Sequence, residues 1–408
     1  MTDAKSNGPV AVRRQNRGAV LDILRSKRPI SRTDLARQAR LSKPTISAIV
    51  EQLLALNLAR EIGLGHSERG RRPVLLDLNP DARLVIGAEY RPDNWFLVLT
   101  NLDGEVLRRL TVPTLSTAPQ SVVDALADGV RGLCDPAELP QLLGIGIGVP
   151  GTVAVTTGVV GLSVHLEWKD VPLRQLAEGS LGLPVVVANR CKTAALAEKW
   201  YGAGRDVDDL IYVRLGTGVG AGFVHQGKLF LGSAYEPVFG HCTIDPNGPL
   251  CRCGNRGCLE VFTSGPALAA RAQESIREGN ASILTDLCGG QVDLITAQML
   301  TQAAQQGDVL AGRVLAEMGA FLGIAIATLV NLYAPQIVVL GGPVSQAWPF
   351  FIEPLRERVH RHALGLLARD LRLEQSVLGS DAGPVGAATM ISAQLNELLE
   401  RPKPHTRA

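Results

Sequence analysis

Aromatic residues are scarce in this 408-residue chain, only 4% of it, whereas glycine numbers 43 and aliphatic side chains abound. That balance suits an α/β protein, and the length gives room for two or three domains with sizeable cores. Long apolar runs are missing as well. The most apolar stretch, Met318–Val330, is too short to span a bilayer and runs into Asn331 and Pro335. It reads as a buried helix, and no membrane partner is expected. No signal-peptide pattern precedes the cysteines, and the seven cysteines are clustered. A reducing, cytoplasmic compartment is therefore expected in place of a disulfide framework. Net charge is small at +2, but it is unevenly spread. Residues 1–80 hold 15 Lys and Arg against 7 Asp and Glu, and the rest of the chain holds 26 against 32. A small basic head on a mildly acidic body points to a polyanion as the head's partner.

The densest chemistry lies in Phe239–Glu260, FGHCTIDPNGPLCRCGNRGCLE, which contains four of the seven cysteines. His241, Cys251, Cys253 and Cys258 are spaced ten, two and five residues apart. One imidazole and three thiolates are the ligand set of a closed tetrahedral Zn2+ site. Gly254 and Gly257 permit the tight turns that bring three cysteines of one short loop onto a single ion. Four protein ligands leave no open position, so the expected zinc is structural and not catalytic.

In the basic head, residues 1–10 read as disordered, and Arg13–Ser26 has a helical spacing of apolar residues at Val20, Ile23 and Leu24. Ser31 with Asp34 three residues on is close to a capping box and starts a helix of about 32–39. A short turn at Arg40–Leu41 follows. Ser42 caps a second helix that opens Lys43, Pro44, Thr45, Ile46, where proline is tolerated because that N–H has no helical partner. Ile46, Ile49, Val50, Leu53 and Leu54 form its apolar face. Two short helices about a tight turn make a helix-turn-helix, and Ser42, Lys43, Thr45 and Ser47 are the expected contacts to base edges. The loop from Gly63 to Pro73, between two short strands, reads as a wing whose Arg69, Arg71 and Arg72 enter a minor groove or grip phosphates.

From Leu84 the pattern becomes strands, Leu84–Tyr90, Trp95–Thr100 and Val106–Val112, with an Asp-Gly turn at Asn101–Gly104. Helix 119–133, strand Leu142–Val149, strand Pro184–Ala188, helix Thr193–Tyr201 and strand Leu210–Leu215 follow, the last running into the glycine-rich Gly216–Gly222. Beyond the cysteine loop come helices near 265–277, 295–305 and 308–333, strand Gln336–Leu340, helix 345–362, strand 371–377 and helix 384–399. Alternating strands and helices argue an α/β body of two lobes.

Taken together, the His241/CxCGxxGC loop with Leu259-Glu260, the Leu215–Gly222 run, Gly148–Gly151 and the helix-turn-helix with its Gly70–Pro73 exit resemble the family of bacterial repressors, open reading frames and sugar kinases (the ROK family), in its transcriptional-regulator branch. The resemblance covers nearly the whole chain. It implies a winged helix-turn-helix over residues 1–80 and an actin/hexokinase-like (ribonuclease H-like) body. The first α/β lobe would span 81–190, completed by the C-terminal helix at about 383–400. The second, with the zinc loop, would span 191–382. It also implies a homodimer or homotetramer, an inverted-repeat operator in double-stranded DNA, and a sugar or sugar derivative as effector, held by His165, Asn189, Arg190, His241 and Glu260.

Family kinases take the proton of the attacking hydroxyl with the Asp of a Glu-Asn-Asp-x-Asn segment. Here the segment reads Ala188-Asn189-Arg190-Cys191-Lys192, and a protonated guanidinium cannot act as that base. The family's Asp-x-Gly-x-Thr phosphate loop reads Glu89-Tyr90-Arg91-Pro92-Asp93. Its Glu-x-Gly-His reads Val238-Phe239-Gly240-His241, with Glu236 two places early, and its Asn-Leu before Trp reads His165-Leu166-Glu167-Trp168. A regulator without kinase activity is expected, the alternative being an ATP-dependent sugar kinase with a fused DNA-binding head. Arg190, Lys192 and His165 suit an anionic effector; the competing readings are a decayed pocket, or Arg190 paired internally with an acid such as Glu167.

Overall fold

The computed structural model describes residues 8–66, 72–164, 166–232 and 238–400. The head opens with α1 (Pro9–Ser26), which begins at a proline whose fixed φ suits a first helical turn. Expected disorder up to residue 10 therefore gives way to helix two residues early. After β1 (Ile30–Ser31), α2 (Arg32–Ala39) is capped by Ser31, whose Oγ accepts from the Asp34 N–H at 3.1 Å. Arg40 in the left-handed region (φ 54°) ends it. Ser42 caps α3 (Lys43–Ala55), which buries Ile46, Ile49, Val50 and Leu53. β2 (Ala59–Leu64) and β3 (Val74–Leu78) pair antiparallel, and β1 lies on the other side of β3. This is a winged helix-turn-helix.

The body repeats one plan twice. In the first sheet β4 (Leu84–Arg91), β5 (Asn94–Asn101) and β6 (Val106–Pro113) are antiparallel. β7 (Leu142–Val149) and β11 (Val185–Asn189) add in parallel on the β4 side, giving the order β11-β7-β4-β5-β6. α4 (Pro119–Leu133) and α5 (Leu173–Leu181) cover one face. A small sheet of β8 (Thr152–Ala154), β9 (Val159–Ser163) and β10 (Trp168–Val171), absent from the sequence expectation, folds over the end of β7.

The second sheet has the order β14-β13-β12-β15-β16. β12 (Leu210–Leu215) pairs antiparallel with β13 (Val219–His225), which carries β14 (Lys228–Leu229). β15 (Ile337–Gly341) and β16 (Arg372–Gln375) run parallel to β12. Its outer helices are α7 (Glu260–Thr263), α8 (Gly265–Arg277), α9 (Leu284–Leu287), α10 (Ala297–Gln305), α11 (Val309–Tyr333), α12 (Trp348–His362) and α13 (Gly365–Ala368). The apolar stretch Met318–Val330 is part of α11, whose 25 residues are long and apolar enough to cross a membrane by length and composition. It instead packs Leu315, Leu322 and Ile326 into the core of this lobe with Phe351 and Leu355 of α12. The antiparallel start and parallel finish of each sheet are the duplicated lobes of the actin/hexokinase-like fold.

Two helices occupy the space between the sheets: α6 (Arg190–Tyr201) and α14 (Ala382–Ser392). α6 begins at Arg190, three residues before the sequence expectation, because the Asn189 side chain caps it by accepting from Cys191 N at 2.7 Å. The expected single helix 384–399 is two, α14 and α15 (Leu395–Leu398), and the bend sends Leu395 and Leu398 into the head's core. The expected start of α12 at 345 is a short 3-10 turn, Pro343–Ala347. α6 lies close to the strand on one side and to α14 on the other through Gly222 and Gly386. A Cβ at Gly222 would sit 2.3 Å from Cys191 O, and one at Gly386 would sit 1.6 Å from Thr193 O. Gly222→Val is therefore expected to destabilise the fold by about 2–3 kcal/mol through overpacking against rigid backbone. A urea midpoint unchanged from wild type would contradict this contact.

The head is not hung on a linker. Val20, Leu24, Ile46 and Leu76 share one apolar cluster with Val186, Ala188, Leu196, Met390 and Leu395 of the body. Arg17 Nε donates to Asn396 Oδ1 at 2.7 Å, and Arg25 Nη2 donates to Ser392 O at 2.8 Å. The Arg25 guanidinium also lies 4.8 Å from the centre of the Trp200 ring, within cation–π range.

Candidate metal centre, interlobe cleft and nucleic-acid interface

The ligand atoms of His241, Cys251, Cys253 and Cys258 all lie within 4.8 Å of one another. Cys253 Sγ is 3.7 Å from Cys258 Sγ, and Cys251 Sγ is 3.6 Å from His241 Nδ1. Metal–sulfur and metal–nitrogen bonds of about 2.3 and 2.05 Å set sulfur–sulfur and sulfur–nitrogen edges of about 3.8 and 3.6 Å in a regular tetrahedron. These two edges match, and the four ligand atoms lie close enough together to hold a metal ion. Local backbone enforces the arrangement. Gly257 has φ 62°, and a Cβ there would meet Asp245 O at 1.5 Å. Cys251 N donates to Asn255 O at 2.7 Å, closing the Cys-x-Cys turn. Burial, followed by hydrogen bonding to Cys253, pushes the Cys258 thiol up to about 12. A bound dication reverses that tendency and holds the ligand as thiolate. Cys242 lies outside the cluster.

Glu260, just after the loop, accepts from Val219 N at 3.0 Å through Oε2. Gly240 packs against the Val219 carbonyl, and Gly220 packs against Cys191 Sγ. His241, Glu260, Asn189 and Arg190 therefore gather around the start of β13. Asn189 also donates through Nδ2 to Gly151 O at 2.7 Å. Lys192 is buried and donates to Leu231 O at 2.7 Å. His165 and Glu236 lie outside the described residues.

Where the ends of β4 and β12 approach the start of α6, three guanidiniums lie near one carboxylate. Arg91 closes β4, Arg190 opens α6 and Arg214 stands near the end of β12. Glu89 is fully buried, 2.8 Å from Arg214 Nη2 and 3.6 Å from Arg91 Nη2. Arg91 also stacks on Phe96 at 3.9 Å and donates to Ser380 O at 2.5 Å. Arg190 is 7% exposed. Burial, then the neighbouring Arg214 charge, lowers its pKa to about 10, so it stays a cation at neutral pH. Glu167, the internal acid considered for Arg190, is exposed in a left-handed turn with φ 56°. The carboxylate whose charge acts on Arg190 is Glu89. Sequence reasoning placed Glu89 and Arg91 in an altered phosphate loop but missed Arg214. Its signal was an arginine at a strand end, two residues before the Gly216 turn.

On the head, Ser42 and Lys43 are exposed at the start of α3, and Thr45 and Ser47 are half-buried. Ser42 Oγ is 2.8 Å from Thr45 Oγ1 and accepts from Thr45 N, so these two hydroxyls are already engaged in capping. Lys43 forms no ion pair among the described residues. Arg72 is exposed, whereas Arg69 and Arg71 lie outside the described residues.

Comparison with known proteins places these features in one group. The sequence profile of the ROK family matches residues 87–394. The chain is 33% identical over 392 residues to the xylose repressor of Caldicellulosiruptor bescii, covering 95% of this chain and 97% of that one. A solved ROK family transcriptional regulator, a homolog of the E. coli MLC protein, superposes with a TM-score of 0.83 at 30% identity, over 95% of this chain and 98% of that one. A ROK family glucokinase from Streptomyces griseus, solved with glucose and AMPPNP, gives a TM-score of 0.67 at 32% identity. It matches 75% of this chain but 98% of its own. Head and body together have full-length counterparts, and the chain belongs to the ROK family.

Proposed function

We propose that this protein is a sequence-specific DNA-binding transcriptional regulator, a cytoplasmic repressor of carbohydrate-related genes, in which a small molecule in the interlobe cleft alters operator binding. The observation that carries this reading is a winged helix-turn-helix packed without slack on a kinase-like body whose base position holds Arg190. Lys43 and Ser47 reach base edges, Ser42 and Thr45 hold the helix start, and Arg69, Arg71 and Arg72 grip the backbone or minor groove. A homodimer would present two α3 helices to an inverted repeat. Xylose repressors among the full-length relatives favour a sugar or sugar derivative as effector. Asn189, Arg190, His241 and Glu260 are its contacts on this reading, with His165, outside the described residues, as a further candidate, and the His241/Cys251/Cys253/Cys258 cluster holds a structural zinc beside them.

Kinase activity is absent on this reading. Arg190 cannot accept the hydroxyl proton, and Arg91 stands where the phosphate loop of the family's kinases has a glycine. Incubated with ATP, magnesium and a panel of hexoses and pentoses, the protein is expected to give no sugar-dependent ADP. Turnover above a no-sugar blank would instead establish a kinase with a fused head. Genomic binding sites mapped with the full chain test the regulator reading directly: a reproducible inverted repeat supports it, and purely sequence-independent binding overturns it.

A further inference from the structure

We propose that Arg190 and Arg214, with Arg91 beside them, bind an oxyanion carried by the effector, a carboxylate or a phosphate on a sugar-sized molecule. The inference deepens the preceding reading and rests on the cleft being the effector site.

Charge balance is the starting point. Arg91 and Arg214 pair with Glu89 from the ends of β4 and β12, and Arg190, at the start of α6, is near enough for the charges of Arg214 and Glu89 to act on it. Asp381 adds a further negative charge that acts on Arg91, but among the described residues no carboxylate forms an ion pair with Arg190. An uncompensated buried charge is among the costliest features a fold can carry. Hydrogen bonding leaves room for a ligand as well. No described residue hydrogen-bonds the Arg190 guanidinium, although the side chain is only 7% exposed. The Nε atoms of Arg214 and Arg91 are also buried without an acceptor. The 2.8 Å approach of Arg214 to Glu89 is a charge contact without hydrogen-bond alignment, since neither carboxylate oxygen of Glu89 has a hydrogen-bonded partner. Planar guanidiniums with free donors are suited to carboxylate or phosphate oxygens.

The position of the three arginines gives the site a consequence. Arg91 ends a strand of the first sheet, Arg214 lies in a strand of the second, and Arg190 opens α6 between the two sheets. The like charges of Arg190 and Arg214 repel, and an anion held by Arg91, Arg190 and Arg214 together would bridge the two sheets. Binding would therefore favour the closed arrangement of the lobes through differential contacts with the two states. A neutral sugar has nothing to offer these donors that water does not already supply.

The test uses the full chain and isothermal titration with inorganic phosphate, glucose 6-phosphate, glucuronate, glucose and xylose. Affinity for at least one of the anionic sugars, well above that for the neutral pair, is expected. Which anion binds separates carboxylate from phosphate, and inorganic phosphate shows whether the oxyanion alone suffices. Arg190→Gln, which leaves the Glu89–Arg214 pair in place, should weaken anion binding about 10- to 100-fold. Its thermal midpoint should not fall below wild type, since the substitution removes a buried positive charge that lacks a paired carboxylate. Exclusive binding of a neutral sugar, or an unchanged anion affinity in Arg190→Gln, overturns the proposal. The outcomes separate it from the regulator reading. Operator binding without anion binding removes the anion site alone. Anion binding with no effect on operator affinity keeps the site and removes its role as the effector site.

Discussion

The full chain prepared from zinc-replete cells is expected to carry close to one zinc ion, and Cys258→Ser to carry less than about a tenth of that. Cys258 is the fully buried thiol of the cluster and lies 3.7 Å from Cys253 Sγ, so no exposed side chain can replace it without rebuilding the loop. Structural zinc contributes about 10–16 kcal/mol of binding energy in small zinc-finger peptides. Only the part coupled to this loop would appear in a two-lobed body, where a loss of about 3 kcal/mol lowers the thermal midpoint by about 4–7 °C. Cys242→Ser supplies the control, since Cys242 is exposed and outside the ligand set. Metal analysis with a melting curve checks both variants. Full zinc occupancy in Cys258→Ser would remove the four-ligand assignment. The loss should also reach the cleft, because Glu260 follows the loop directly and holds the Val219 amide.

The second large effect concerns DNA. Lys43→Ala together with Ser47→Ala should reduce affinity for the operator about 100-fold or more while leaving non-specific binding nearly unchanged, as expected for two base-edge contacts. Arg72→Ala should act in the opposite pattern, weakening binding to all sequences and making the slope of log K against log salt shallower by about one. Ser42→Ala separates a third role: it removes the cap of α3 and should cost about 1 kcal/mol of stability. Its effect on DNA would follow from fraying of the recognition helix. Fluorescence anisotropy with operator and scrambled duplexes across a salt series distinguishes the three. Equal losses on both duplexes for the Lys43/Ser47 pair would assign α3 to the phosphate backbone instead.

Features encoded in a few neighbouring residues were legible in the sequence. Ser31 with Asp34 and Ser42 with Pro44 announced two helix starts, and the cysteine spacing announced the metal cluster, because capping and chelation by one short loop are local. The start of α6 was misread by three residues, since the Asn189 cap competes with an arginine and a cysteine that carry no strong helical signal. The charge cluster was only half visible. Glu89, Arg91, Arg190 and Arg214 are brought together by the order of strands in two sheets, and no spacing rule joins Arg91 to Arg214. The packing of α1 onto α15 was hidden for the same reason: the spacing of Val20, Ile23 and Leu24 marks an apolar face but not that the end of the chain shares it.

α6 touches both ends of the system. Arg190 at its first position stands in the cleft, and Trp200 near its last lies under Arg25 of α1. Twelve helical residues cover about 18 Å at ~1.5 Å per residue, so a single stiff rod joins the cleft to the head. Gly222 on one side and Gly386 on the other leave this rod no lateral clearance. Tilting or sliding of α6 is thus delivered to Trp200 with little attenuation, and α1 follows because its arginines are fastened to the same lobe. On the proposed function, thermodynamic reciprocity then applies: a ligand that changes operator affinity by some factor through this rod has its own affinity changed by operator DNA by the same factor.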